Sequence, residues 1–182
     1  MMLDAALTFV SPNGPPQSVV GAAGAALQLG GVIDLLGQGV GQAPANIIGN
    51  ASFFGQDTNT GIWKLDFQLG IGTSFATGTS ATGNFAIQVA PDTGSAGGYL
   101  PGTWETAAET GAKAASELVA NTIIRMAMPP APPATLRPRY MRLLLSVPSA
   151  TDFTAGTVSS AFFVQGRDDL QNKQAANNYV VR

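Results

Sequence analysis

Apolar side chains recur at every second position in several short stretches of this chain, and that period belongs to β-strands. Across residues 62–71, Trp63, Leu65, Phe67, Leu69 and Ile71 make one apolar face, while Lys64, Asp66, Gln68 and Gly70 make the other. Phe85, Ile87 and Val89 repeat the pattern with Asn84, Ala86 and Gln88 outward. Residues 122–128 alternate more weakly and stop at Pro129. Met141, Leu143, Leu145 and Val147 alternate with Tyr140, Arg142, Leu144 and Ser146, and the run stops at Pro148. A last run interleaves Val158, Ser160, Phe162 and Val164 with Ser159, Ala161, Phe163 and Gln165, and is apolar on both sides near its end. Turn formers separate these runs: Thr58-Asn59-Thr60-Gly61, Thr77-Gly78-Thr79-Ser80, Pro91-Asp92-Thr93-Gly94, Pro101-Gly102 and Thr154-Ala155-Gly156. Many short strands with Gly- and Pro-rich connections predict an all-β sandwich or barrel. One stretch departs from the period of two. Residues 106–120 are rich in Ala and Glu, and Glu105, Glu109 and Lys113 stand at i, i+4 spacing, which predicts a short helix or loop interrupted by Gly111.

The two ends differ from the middle. Pro12, Pro15 and Pro16 set the first residues apart, and residues 168–182 are polar with the apolar tip Tyr179-Val180-Val181. These features predict a domain over residues 17–167, an N-terminal arm over 1–16 and a C-terminal tail over 168–182, with both arms ordered by docking.

Composition narrows what such a domain does. The chain of 182 residues has no His and no Cys. A Ser-His-Asp triad, a thiol nucleophile, a disulfide framework and a His- or Cys-ligated metal are therefore excluded. Charged residues make up 11% of the chain, against roughly 25% in ordinary globular proteins. Nine Lys and Arg residues form no polybasic stripe, which argues against nucleic acid as a partner. The uncharged run 5–33 is broken by the segment from Ser11 to Pro16 and is otherwise rich in Gly and Ala, so no membrane span is expected. Met1-Met2-Leu3-Asp4 lacks a basic n-region, so no secretory signal is expected either.

Several motifs imitate chemistry. Gly72-Thr73-Ser74-Phe75-Ala76 is similar to the segment around the nucleophile of subtilisin-like proteases, but a serine there needs an imidazole and the chain has none; a hairpin loop is expected instead. Gly37-Gln38-Gly39-Val40-Gly41 lacks the helix start that a phosphate-binding loop needs, because Pro44 follows at once. Asp168-Asp169 lacks the spacing of a calcium loop, and Glu105, Glu109 and Glu117 share one Ala-rich segment that reads as a solvated face. Arg137, Arg139 and Arg142 are the only basic cluster, available either to carboxylates of a partner or to pairs within the chain.

The stretches Arg139-Tyr140-Met141-Arg142-Leu143, Phe153-Thr154-Ala155-Gly156-Thr157-Val158 and Ala161-Phe162-Phe163-Val164 resemble the C-terminal half of the capsid cement (decoration) proteins of short-tailed bacteriophages. Leu3-Asp4-Ala5 through Phe9, and Val32-Ile33-Asp34-Leu35, are similar to the N-terminal pattern of that family. The resemblance covers both ends well and the middle in style alone, and residues 37–61 are longer than it leads one to expect. It implies a jelly-roll β-sandwich on the outer surface of an icosahedral shell. It also implies symmetric homo-oligomers, dimers favoured over trimers, that bridge major capsid proteins.

The expectation is a structural virion protein made in the host cytoplasm, not an enzyme, with no cofactor, no metal, no nucleic-acid partner and no membrane partner. Leu3, Asp4, Leu7 and Phe9 on the N-terminal arm and Tyr179, Val180 and Arg182 on the tail are the expected docking residues, with Arg139 and Arg142 as charge-pairing residues. The alternative is a carbohydrate-binding or receptor-binding β-sandwich, which needs an exposed aromatic platform. Trp63 lies on a core-facing stripe, leaving Trp104, Tyr99 and Tyr140 for that role. A third reading, an enzyme working through carboxylates alone, rests on Glu105 and Glu109.

Overall fold

The strand runs of the sequence become two antiparallel sheets in a computed structural model, which describes residues 3–21, 26–34, 65–91, 93, 100–127, 140–148 and 151–165. The strands are β1 (Leu3–Val10), β2 (Gln17–Ser18), β3 (Ala26–Asp34), β4 (Leu65–Ala76), β5 (Thr82–Ala90), β6 (Glu105–Glu109), β7 (Lys113–Ala114), β8 (Ile123–Ala127), β9 (Tyr140–Ser146) and β10 (Ala155–Gln165). One sheet has the order β1-β10-β4-β8, with β2 also on β10; the other has the order β3-β9-β5-β6, with β7 also on β5.

Setting aside the two-residue strands β2 and β7, eight strands remain, and their pairing follows one rule. First pairs with last (β1 with β10), second with second-last (β3 with β9), third with third-last (β4 with β8), and the middle two with each other (β5 with β6). That is one long antiparallel ribbon folded back on itself. Lateral ladders from β10 to β4 and from β5 to β9 roll it into two sheets. The result is a jelly-roll sandwich, one of the two architectures, sandwich or barrel, that the alternating patterns led us to expect.

The inward faces carry the core. Phe67, Leu69 and Ile71 of β4 face Phe85, Ile87 and Val89 of β5 and Leu143 and Leu145 of β9, all of them buried. Two aromatic clusters mark its two ends. Phe9, Phe67 and Phe163 meet with ring centroids 5.4–6.1 Å apart, and Phe75 meets Phe85 at 6.3 Å and Phe153 at 5.0 Å. Edge-to-face pairs of this kind contribute roughly 0.5–1.5 kcal/mol each beyond the area they bury. Among the described residues no polar or charged side chain is fully buried.

The two open sides of the sandwich are finished differently. On the β1–β3 side, Gly30 presses against the backbone of Phe9 so closely that a Cβ at Gly30 would collide with the Phe9 carbonyl. Gln17 ties the same place together: its Nε2 donates to the Gln28 carbonyl at 3.2 Å and its Oε1 accepts from Gly30 N–H at 2.6 Å. On the β6–β8 side the sheets part around a groove of about 530 Å³.

Three expectations need correction. The N-terminal stretch is not a detached arm: Leu3–Val10 is strand β1, hydrogen-bonded along β10. The Pro-rich segment after it is a turn, closed by Gly14 N–H on the Ser11 carbonyl at 3.0 Å, which returns the chain to the same strand through β2. Residues 106–120 are not helical beyond one 3₁₀ turn, Ala115–Glu117. The Ala- and Glu-rich run pairs with β5 as β6 and β7, and Gly111 at φ +70° bends the chain between them. Long-range pairing overrides local propensity at such an edge. Finally, Gly72 to Ala76 are not a hairpin loop but the end of β4.

Candidate docking surface

The register of the ladders shows what lies at each end of the sandwich. Leu3 stands opposite Val164, Val164 opposite Asp66, and Asp66 opposite Ala127. In the other sheet Asp34 and Ala90 both stand opposite Tyr140. The turn over residues 77–81 joins β4 to β5 at the far end, so these two rows share one end of the molecule. From that end the chain leaves after Asp34, Ala90, Ala127 and Gln165, and there β1 begins. The described strands therefore give way to both terminal stretches and to the longest connections at this end.

The far end is closed by short polar bonds. Thr77 Oγ1 donates to the Asp152 carbonyl at 2.8 Å, and Thr79 Oγ1 donates to Asp152 Oδ1 at 3.0 Å. Asp152 N–H donates to Thr79 Oγ1 at 2.9 Å, and Ala81 N–H donates to Thr77 Oγ1 at 3.0 Å. These bonds lock two turns together.

Close to the convergent end, one outward-facing cationic group is held in a fixed pose. Gln88 of β5 lies opposite Arg142 of β9 on one side and Thr106 of β6 on the other. Arg142 Nε and Nη2 both donate to Gln88 Oε1, at 3.0 and 2.8 Å, and Gln88 Nε2 donates to Thr106 Oγ1 at 3.4 Å. The guanidinium carbon sits 4.2 Å from the centroid of the Trp104 ring. An Arg over an indole face gains roughly 0.5–2 kcal/mol and loses most of its freedom to rotate. Partial burial lowers the Arg142 pKa from its ordinary value, but a guanidinium stays charged at physiological pH. Among the described residues no carboxylate pairs with Arg142, and its Nη1 group makes no hydrogen bond. With the Nε–Nη2 edge engaged by Gln88, the Nη1 side of the guanidinium is what this pose offers to a further acceptor.

The predicted site residues fall into four groups. Leu3, Asp4 and Leu7 lie on β1, whose start is at the convergent end. Phe9 is corrected from docking residue to core residue: it is 6% exposed and packs on Phe67 and Phe163. Its place in the chain, three residues before Pro12 and six before the Pro15-Pro16 pair, concealed that it belongs to a paired strand. Arg142 is placed as described. Arg139, Tyr179, Val180 and Arg182 lie outside the described residues, as do residues 37–61. Sequence reasoning missed Gln88 and Trp104 as the holders of Arg142. Alternation already put Gln88 and Arg142 on outward faces, but the register that makes them neighbours appears only in the folded ladder.

The motifs set aside earlier also find their places. Ser74 is an exposed strand residue whose Oγ accepts from Ala120 N–H at 2.9 Å. Glu105 and Glu109 stand at the two ends of β6, and Glu117 closes the 3₁₀ turn. The aromatic platform required by the sugar-binding alternative does not assemble from the described residues. Tyr140 is 5% exposed, the Trp104 ring carries Arg142, and Tyr99 lies outside the described residues. The sequence matches no family model and no curated protein.

Proposed function

We propose that this chain is a structural protein of a virus particle, a cement protein that binds the outside of an icosahedral phage shell and stabilises it by bridging major capsid subunits. It works as a homo-oligomer, without cofactor, metal or catalytic step, and needs neither nucleic acid nor a membrane. The observation that carries the reading is that the strand ends leading to both terminal stretches and to the long connections lie at one end of a jelly roll, with the Arg142 guanidinium close by. Jelly rolls serve both as viral capsid domains and as lectins, so the fold alone supports a class of roles by analogy. The buried Tyr140 and the occupied Trp104 face favour the shell-binding role over the lectin-like one.

In this account the convergent end faces the shell. Strand β1 fixes one terminus in the sandwich, and residues 168–182 act as the docking tail, including Tyr179, Val180 and Arg182. Arg142, with Arg139 beside it in sequence, meets carboxylates on the capsid protein. Weak contacts from several copies add up to firm attachment because each oligomer holds more than one shell subunit.

Co-sedimentation with shells of the phage whose genome encodes the chain tests this directly. The intact chain is expected to pellet with shells at saturating stoichiometry and to raise their resistance to heat or chelation. A chain lacking residues 168–182 is expected to stay folded and remain in the supernatant. Binding by neither the intact chain nor the truncated one, or equal binding by both, contradicts the proposal.

A further inference from the structure

The chain contains one Asn-Gly step, Asn13-Gly14, and it lies in the turn that leads from β1 to β2. Ser11, Pro12, Asn13 and Gly14 follow one another in the order a type I turn favours, and Gly14 N–H closes the turn on the Ser11 carbonyl at 3.0 Å. Ser11 Oγ also accepts from Asn13 N–H, at 3.3 Å. Ser11, Pro12 and Asn13 are all exposed, and the Asn13 carboxamide makes no hydrogen bond among the described residues. The two other asparagines of the described residues are placed differently. Asn84 is held at both ends of its amide: Nδ2 donates to Glu109 Oε2 at 2.9 Å, and Oδ1 accepts from Thr110 Oγ1 at 3.3 Å. It is followed by the bulky Phe85, and Asn121 by the β-branched Thr122.

We propose that Asn13 is a site of spontaneous covalent modification, converted with time to aspartate and isoaspartate through a cyclic imide with Gly14. The Gly14 amide nitrogen attacks Cγ of Asn13. The N–Cγ bond forms, the nitrogen gives its proton to water, and the Cγ–Nδ2 bond breaks to release ammonia. Water then opens the ring. Addition at Cγ leaves aspartate, and addition at the Asn13 backbone carbonyl leaves isoaspartate, in which the chain runs through Cγ. The sum is asparagine plus water giving a carboxylate plus ammonia, with no oxidant, reductant or enzyme. Glycine is the residue that permits the attack, because no Cβ stands beside its nitrogen.

The fold sets the pace through that same nitrogen. The atom that attacks is the atom that closes the turn, so the reaction proceeds only when the turn opens. An exposed turn held by two bonds opens far more readily than a strand ladder. In the imide the nitrogen carries no hydrogen, and its bond to the Ser11 carbonyl is lost. In isoaspartate the backbone gains a carbon between Val10, which stands opposite Ala161, and Gln17, which stands opposite Val158. Both anchors are on β10, so residues 11–16 take up the added length.

The modification needs neither shell nor partner, and therefore stands or falls apart from the proposed function. The purified full chain, folded and urea-denatured, is kept under mildly alkaline conditions. Samples are followed by isoelectric focusing, by mass mapping of the peptide carrying residues 11–16 and by labelling with an isoaspartyl methyltransferase. The expected result is a growing band one charge more acidic, mapped to Asn13 and containing isoaspartate, formed faster in urea than in the folded chain. Gly14→Ala fits the turn, since Gly14 has no positive φ and the added Cβ would meet Ser11 Cβ at an ordinary 3.4 Å. That Cβ hinders the attacking nitrogen, so conversion at Asn13 is expected to slow by an order of magnitude with unchanged circular dichroism. Ser11→Ala removes the hydroxyl that accepts from Asn13 N–H and is expected to speed conversion severalfold. An Asn13 that stays intact in the folded chain after reacting in the denatured one overturns the proposal. So does conversion that Gly14→Ala leaves as fast, and conversion unchanged in Ser11→Ala overturns the control by the turn.

Discussion

Gly30 and Gly21 share a left-handed backbone but not a neighbourhood. Both have positive φ, +72° and +85°, so any side chain at either position is strained by about 1–2 kcal/mol. Around Gly21 there is open space, whereas a Cβ at Gly30 runs into the Phe9 carbonyl that seals the β1–β3 edge. Gly30→Ala is therefore expected to cost roughly 2–4 kcal/mol and Gly21→Ala only about 1. At this chain length that separates their thermal midpoints by several degrees. Equal midpoints by calorimetry would show that the seal contributes nothing. A second residue-scale consequence concerns Arg142. Arg142→Lys keeps the charge but loses the planar fork held by Gln88 and Trp104, so shell affinity should fall about tenfold, or ~1.4 kcal/mol. A sedimentation titration that finds no change would remove Arg142 from the contact. That an arginine sat on the outer face of a strand was legible from its alternation with Met141 and Leu143. That Gln88 and Thr106, not carboxylates, stand beside it on the neighbouring strands was not, since this depends on the register.

Among the elements, β1 shows how a strand is mistaken for an arm. Ala5 and Ala6 weaken its alternation, and a proline-rich turn follows, so the sequence offers no obvious inward face. Its side chains are chosen by β10, more than 150 positions away in sequence, through the pairings of Thr8 with Phe162 and Val10 with Ala161. Phe9→Ala should cost about 3–5 kcal/mol, as an aromatic removed from a packed cluster does. Deleting residues 1–10 should unfold the chain instead of merely releasing it from shells. A cooperative unfolding transition unaltered by that deletion would restore the detached-arm picture. The β6–β7 segment erred the other way, because Ala and Glu favour helix locally while β5 recruits them as a border ladder. Here the 3₁₀ turn carries one pH-dependent contact. Ala114 N–H donates to Glu117 Oε2 at 2.9 Å and Lys113 to Oε1 at 3.2 Å, which together hold this carboxylate below the ordinary glutamate pKa. Its contribution is thus present above the unfolded-state pKa and lost as pH falls through the lower folded value. Carboxyl-detected titration should place the Glu117 midpoint below that of an unstructured glutamate, and an ordinary midpoint would deny the cap.

At the scale of the whole molecule, the period of two announced most of the strands in advance: β5, β8, β9 and β10 lie where alternation put them, and β4 runs five residues beyond its expected end at Ile71. Their arrangement was not legible, since nested pairing of first with last depends on contacts across nearly the full chain. That nesting puts the strand ends that lead to both terminal stretches and to the long connections at one end, while Thr77, Thr79 and Asp152 bind two turns together at the other. Under the proposed function the first of these ends attaches and the other faces solvent, and a net charge as small as −2 would let copies crowd on a shell. Three-dimensional reconstruction of shells incubated with the chain is the most direct test of this division. The account predicts density on the outer surface in which the end bearing Leu3, Tyr140 and Gln165 touches the capsid lattice and the Thr77–Asp152 end points to solvent. Bare shells at saturating concentration, or attachment through the Thr77–Asp152 end, would contradict it.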